Sequence, residues 1–138
     1  MFNNGTAWGV SAAIELELPR DGDAFFLDEP AYGPTEPVWF YEDPGTLFSN
    51  FIGGTQRLTN GNTLIAEGDD GRLIEVTTDG DIVWEYIVPV DANGPVAEGQ
   101  PFSPGLGNAT FRADKYDLDF PGFSGKDLTP VGPIESLP

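Results

Sequence analysis

The sequence predicts an all-β fold of two four-stranded antiparallel propeller blades, one of them incomplete, plus an irregular Pro/Gly-rich C-terminal tail. Three observations carry this. Between residues 54 and 88, four short apolar runs are separated by one Asn-Gly and two Asp-Gly dipeptides. Part of that unit recurs earlier in the chain. Finally, 18 glycines and 13 prolines among 138 residues favour turns over long helices.

In the complete unit, residues 54–58, 62–66, 72–77 and 81–88 read as strands. Asn60-Gly61, Asp70-Gly71 and Asp79-Gly80 read as tight hairpin turns, because both residues of such dipeptides tolerate positive φ. The last run alternates, with Ile82, Trp84, Tyr86 and Val88 expected on one face. Val83 and Ile87 keep the other face partly apolar, as in a sheet packed on both sides.

The repeat is visible in particular residues. Val38-Trp39-Phe40-Tyr41 matches Val83-Trp84-Glu85-Tyr86 at an offset of 45, and Ala13-Ile14-Glu15 matches Leu73-Ile74-Glu75 at an offset of 60. An insertion at 20–36 accounts for the difference of 15. A period of about 40–50 residues, with four strands and a late Trp, is the pattern of propeller blades. Trp39 and Trp84 are therefore expected to pack between blades.

The chain divides accordingly. Residues 1–47 are an incomplete blade with the insertion at 20–36. Met1-Phe2 ends its second strand, residues 11–18 and 37–41 form its third and fourth, and the first has no counterpart. Residues 48–90 are the complete blade. Residues 91–138 are a loop, a further strand at 110–116, and a tail punctuated by Pro121, Pro130, Pro133 and Pro138.

Charge and composition exclude several functions. With 23 acidic residues against 6 basic, the net charge of −17 repels phosphate backbones and argues against nucleic acid as a partner. No run approaches the roughly 20 apolar residues of a membrane span, and residues 1–5 do not read as a signal peptide. Cysteine and histidine are both absent, which removes disulfides, thiolate chemistry, Ser-His-Asp catalysis and His-ligated metals.

Several segments resemble a known family. Gln56-Arg57-Leu58-Thr59-Asn60-Gly61-Asn62-Thr63-Leu64-Ile65 is similar to a QRLPNGNTLI segment, and residues 71–86 are similar to GRIFEVTPDGEIVWEY. Residues 111–116, with Pro121-Gly122 and residues 125–130, resemble an FRAYRY…PG..GKDLTP ending. Phe2-Asn3-Asn4-Gly5 resembles the FDNG strand of a preceding blade. Together these resemble the C-terminal part of arylsulfotransferase-like β-propellers. The resemblance implies transfer of a sulfuryl group between phenolic compounds through a modified histidine, in a periplasmic or extracellular setting. Relatives often carry histidine just before the QRLPNG strand, where this chain has residues 48–53 and no histidine. It implies a propeller segment that is not catalytic alone.

Candidate site residues follow. Arg57 and Arg112 are the candidate anion ligands, because a guanidinium forks onto an oxyanion through parallel hydrogen bonds. The competing role for each is a salt bridge to a carboxylate. Trp8, in a Gly-flanked segment without a repeat partner, is the candidate pocket-lining residue. Asp69 and Asp70 in one turn, and Asp79 and Asp81 in another, invite a Ca2+ reading because hard cations take oxygen ligands. Neither fits the Asp-x-Asp-x-Asp-Gly loop, and turn chemistry accounts for both. No cofactor is expected otherwise. The expected partners are the remainder of a longer propeller chain or further copies of this chain, associating through open blade edges.

Overall fold

The computed structural model describes residues 1–27, 33–105 and 107–134. Residues 28–32 of the expected insertion, residue 106 of the loop and residues 135–138 of the tail lie outside the described residues.

The protein is all-β and its sheets are antiparallel. The complete unit forms one sheet of four strands in sequential order: β6 (Gly53–Arg57), β7 (Thr63–Glu67), β8 (Arg72–Val76) and β9 (Ile82–Ile87). We call this the second sheet. The first sheet has three strands, β1 (Phe2–Asn3), β2 (Ala12–Glu15) and β5 (Trp39–Glu42), in the order β1-β2-β5. The insertion between β2 and β5 carries a hairpin of its own, β3 (Arg20–Asp21) with β4 (Ala24–Phe25). After the second sheet comes another short hairpin, β10 (Val90–Asp91) with β11 (Gly94–Pro95).

The turns between strands differ from the tight form that the dipeptides suggest. Among the described residues only glycines have positive φ, so Asn60 and Asp79 keep ordinary backbone angles. The β6–β7 and β8–β9 connections are three-residue loops with Gly61 (φ 89) and Gly80 (φ 95) in the last position. Each is closed by two main-chain bonds: Gly61 N–H to Leu58 O and Leu58 N–H to Asn62 O, and likewise Gly80 to Thr77 and Thr77 to Asp81. This loop needs one left-handed residue rather than two, and glycine adopts that conformation at least cost.

A second difference lies in β9. The register shifts between Glu75 and Val76, so Glu75 faces Trp84 while Val76 faces Ile82. The extra residue, Val83, forms a bulge that places Ile82 on the opposite face from Trp84 and Tyr86. The expected alternation therefore holds for Trp84 and Tyr86 but not for Ile82.

The core lies between the two sheets. Ala13 and Tyr41 from the first sheet meet Ile65, Ile74 and Val76 from the second, with Leu47 of the connecting segment among them. Phe2 and Trp39 pack against this cluster. Leu47, Ile65, Ile74 and Val76 are almost fully buried. Burial of such a side chain stabilises by about 1.5–3 kcal/mol. A buried hydroxyl pair reinforces the junction: Ser49 N–H donates to Ser11 Oγ at 2.9 Å, and Ser11 Oγ–H donates to Asn4 O at 2.8 Å.

The segment expected to be a further strand, residues 110–116, joins no sheet. Side chains and a loop carbonyl take up its backbone groups instead. Lys115 N–H donates to Gln56 Oε1 at 2.7 Å, Gln56 Nε2 donates to Lys115 O at 2.9 Å, and Thr110 N–H donates to Gly68 O at 2.8 Å. Beyond it, Tyr116, Phe120 and Phe123 form a small aromatic cluster around a 3-10 turn at Pro121–Phe123.

Candidate functional site

The strongest constellation of polar chemistry sits where β6 meets the first sheet. Strand register places Arg57, Thr63, Val76 and Ile82 on the face of the second sheet that looks toward the first. Strand pairing in the first sheet sets Glu15 beside Trp39 and Ala13 beside Tyr41 on the opposing face. Arg57 bridges the two. Its guanidinium pairs with Glu15, lies 4.6 Å from the centre of the Trp39 ring and donates to Gly61 O at 2.8 Å. Trp39 Nε1–H donates to Thr78 O at 2.9 Å, so the ring is held from two sides.

Beside this bridge lies an open groove of about 470 Å³. Ala13, Ile14, Leu16, Leu18 and Trp39 line it, with Arg57 and Glu15 as a mutually neutralised pair. Thr63 also lines it, and its buried Oγ1 has no hydrogen-bond partner among the described residues.

The other face of the second sheet carries a matching constellation that sequence reasoning missed. Register places Gln56, Leu64, Glu75 and Trp84 on that face, with Leu73 and Tyr86 alongside. Lys115 arrives from the C-terminal segment, pairs with Glu75 and stands 5.3 Å from the centre of the Trp84 ring. Glu75 also accepts from Asn62 Nδ2 at 2.7 Å and Asn60 Nδ2 at 3.0 Å. Those bonds, Lys115 first, hold its carboxyl down at about 2 against an ordinary 4.5. The signal available in the sequence was the match of Glu15 and Trp39 to Glu75 and Trp84. The lysine itself carries no local mark.

The sequence-predicted site residues are not brought together. Arg57 lies between the sheets, whereas Arg112 belongs to the segment over the opposite face and is exposed. Arg112 Nε and Nη2 both donate to Asp114 Oδ2, at 3.1 and 2.7 Å. Both arginines thus have carboxylate partners. Trp8 follows the first strand in a turn closed by its own N–H to Gly5 O, and is 76% exposed. Trp39 packs between the sheets as expected, while Trp84 is 40% exposed beneath Lys115.

The acidic turns lie at opposite ends of the second sheet, Asp69 and Asp70 after β7, Asp79 and Asp81 after β8. Asp69 Oδ2 accepts from Asn50 N–H at 2.7 Å, and Asp81 N–H donates to Thr77 Oγ1 at 3.0 Å. Among the described residues no three His, Cys, Asp or Glu side chains converge where they could hold a metal ion. Among them, too, no helix is long and apolar enough to cross a membrane.

One buried ion pair is structural. Glu67, with its side chain 4% exposed, accepts from Phe48 N–H at 2.7 Å and from Arg72 Nη1 at 3.1 Å. Arg72 also donates to Glu85 and to Thr46 O. Comparison with protein-family models, curated proteins and solved structures finds no match to the chain.

Proposed function

We propose that this chain is a non-catalytic segment of an arylsulfotransferase-like β-propeller, two blades and a closing segment, acting by stacking against further sheets. The observation that carries the reading is the unequal pair of sheets. The second has four strands, with β6 at its inner edge, whereas the first has three, and its terminal strand β1 lies beside β6 with, among the described residues, no strand paired to its free edge. An unpaired strand edge offers backbone donors and acceptors to another strand. Propellers need about four or more blades to close, so the missing strands come from further blades or further copies. Without histidine in its 138 residues, the chain cannot supply the family's nucleophile. Its own chemistry is that of blade packing.

Light scattering on the purified chain at micromolar concentration tests the assembly reading, with concentration-dependent association expected. A well-folded monomer throughout would overturn it. An aryl sulfate assay tests the rest, since turnover by the chain alone would rule out a non-catalytic segment.

A further inference from the structure

Two faces of this protein carry the same Glu, Trp and Tyr in the same pairing. In the first sheet Glu15 lies opposite Trp39 and Ala13 opposite Tyr41; in the second, Glu75 lies opposite Trp84 and Leu73 opposite Tyr86. In both, the Trp and Tyr rings stack, at 6.1 Å and 5.9 Å between centroids. The first face is covered by the second sheet, whose inner strand β6 sets Arg57 onto Glu15 and over Trp39. The second is covered by the C-terminal segment, which sets Lys115 onto Glu75 and over Trp84.

The segment follows β6 along its length. Asn108 Nδ2 donates to Val88 O at 3.0 Å, Thr110 N–H bonds Gly68, and Lys115 pairs with Gln56. Thr59 Oγ1 then donates to Asp117 Oδ2 at 2.7 Å. Cover is thinner here than between the sheets, since Tyr86 remains 42% exposed where Tyr41 is 8% exposed. Less apolar area is removed from water, so lifting the segment costs less than parting the sheets.

We infer that the Glu75–Trp84–Tyr86 face is a docking site for an extended segment bearing one Lys or Arg, and that residues 108–117 fill it in cis as a strand-mimicking cap. The cap takes the place that the inner strand of a following sheet would take. A cation over an indole and against a carboxylate is the recognition element, and both contacts are stronger where water is partly excluded. The likeness of the two faces carries the assignment, and neither ring closure nor sulfuryl chemistry is required for it.

The test uses the full chain carrying Lys115→Glu, which sets like charges against each other at Glu75, and a fluorescent peptide of residues 107–118. The variant is expected to capture the wild-type peptide at least tenfold more tightly than the wild-type chain does, because its own face is unfilled. A peptide with Lys115→Glu should not be captured. Equal capture by both chains, or of both peptides, would overturn the site. Hydrogen exchange on the same variant, and on the milder Lys115→Ala, gives a second readout. The amides of Thr110 and Lys115 should lose protection while β6–β9 keep theirs. Unchanged protection at 110 and 115 would overturn the cap.

Discussion

Lys115 stands to Trp84 as Arg57 stands to Trp39: each is a cation within about 6 Å of an indole centre and paired with the glutamate across the strand from that indole. The relation joins segments distant in sequence, and it uses the two cation chemistries differently. Arginine adds a directed bond to Gly61 O, whereas lysine acts as a point charge.

Arg57→Ala should therefore destabilise the chain by about 2 kcal/mol. The ion pair with Glu15 is partly exposed and contributes about 0.5 kcal/mol, the stacking about 0.5–1, and the bond to Gly61 about 1. Arg57→Lys should recover about half, because charge survives while the directed bond is lost. Urea unfolding followed by tryptophan fluorescence measures both. A loss under about 0.5 kcal/mol for the alanine variant would mean that the bridge contributes nothing to holding the sheets together.

Arg72 and Glu67 should behave as a coupled buried pair. Arg72→Met leaves the Glu67 carboxylate with Phe48 N–H as its remaining hydrogen-bond donor and should cost about 3–4 kcal/mol. Glu67→Gln alone should cost less, about 2 kcal/mol, because Arg72 keeps Glu85. The double variant should be more stable than the sum of the singles by at least about 1 kcal/mol. Strict additivity in that cycle would show that the two residues do not depend on each other.

The second sheet was legible in the sequence because its determinants are local. Alternating apolar residues and an Asn-Gly or Asp-Gly turn every ten or so residues mark the strands, and the ladder follows from neighbours in the chain. The bulge at Val83 was not legible, since it concerns one residue of register within an otherwise regular run. The C-terminal segment misled for a different reason. Residues 110–116 have strand composition, but their position is set by side chains far away in sequence, Gln56 and Glu75. Pairing over 40 to 59 residues leaves no periodic trace. The candidate site was half visible: Arg57 stood out, as an anion ligand or as the partner of a carboxylate, but nothing local marked Glu15, 42 residues away, as that partner.

Thr63 offers a stabilising substitution. Its side chain lies in the interior strand β7, only 4% of the residue is exposed, and Oγ1 has no hydrogen-bond partner among the described residues. A buried hydroxyl without a partner keeps its desolvation cost and gains nothing in return. Thr63→Val preserves shape and β-branching while removing that oxygen, and should raise stability by about 1 kcal/mol. A loss of stability instead would show that the hydroxyl has a partner in solution, such as an ordered water in the adjoining groove.

Glu75 should govern part of the acid sensitivity of the fold. In the folded chain its carboxyl titrates at about 2, against 4.5 for an ordinary glutamate, because Lys115, Asn62 and Asn60 bond the ionised form. A depressed folded pKa means that the unfolded chain takes up the proton first as pH falls. The stabilisation is then complete above about pH 4.5, shrinks as pH drops below it, and is gone once pH passes through about 2. Glu75→Gln isolates this group from the other acidic residues, which titrate in both chains. The stability difference between wild type and the glutamine variant, from urea unfolding at successive pH values, should be flat above about pH 5 and narrow steadily toward pH 2. Lys115→Met should move the Glu75 titration, followed by NMR of its carboxyl carbon, upward toward 4.5, since the largest cause of the depression is removed. If the wild-type and glutamine chains keep a constant difference down to about pH 2.5, the Glu75 carboxylate is not held by Lys115, Asn62 and Asn60 in solution. A Glu75 titration unmoved by loss of Lys115 would show that the C-terminal segment does not bring its lysine onto the second sheet.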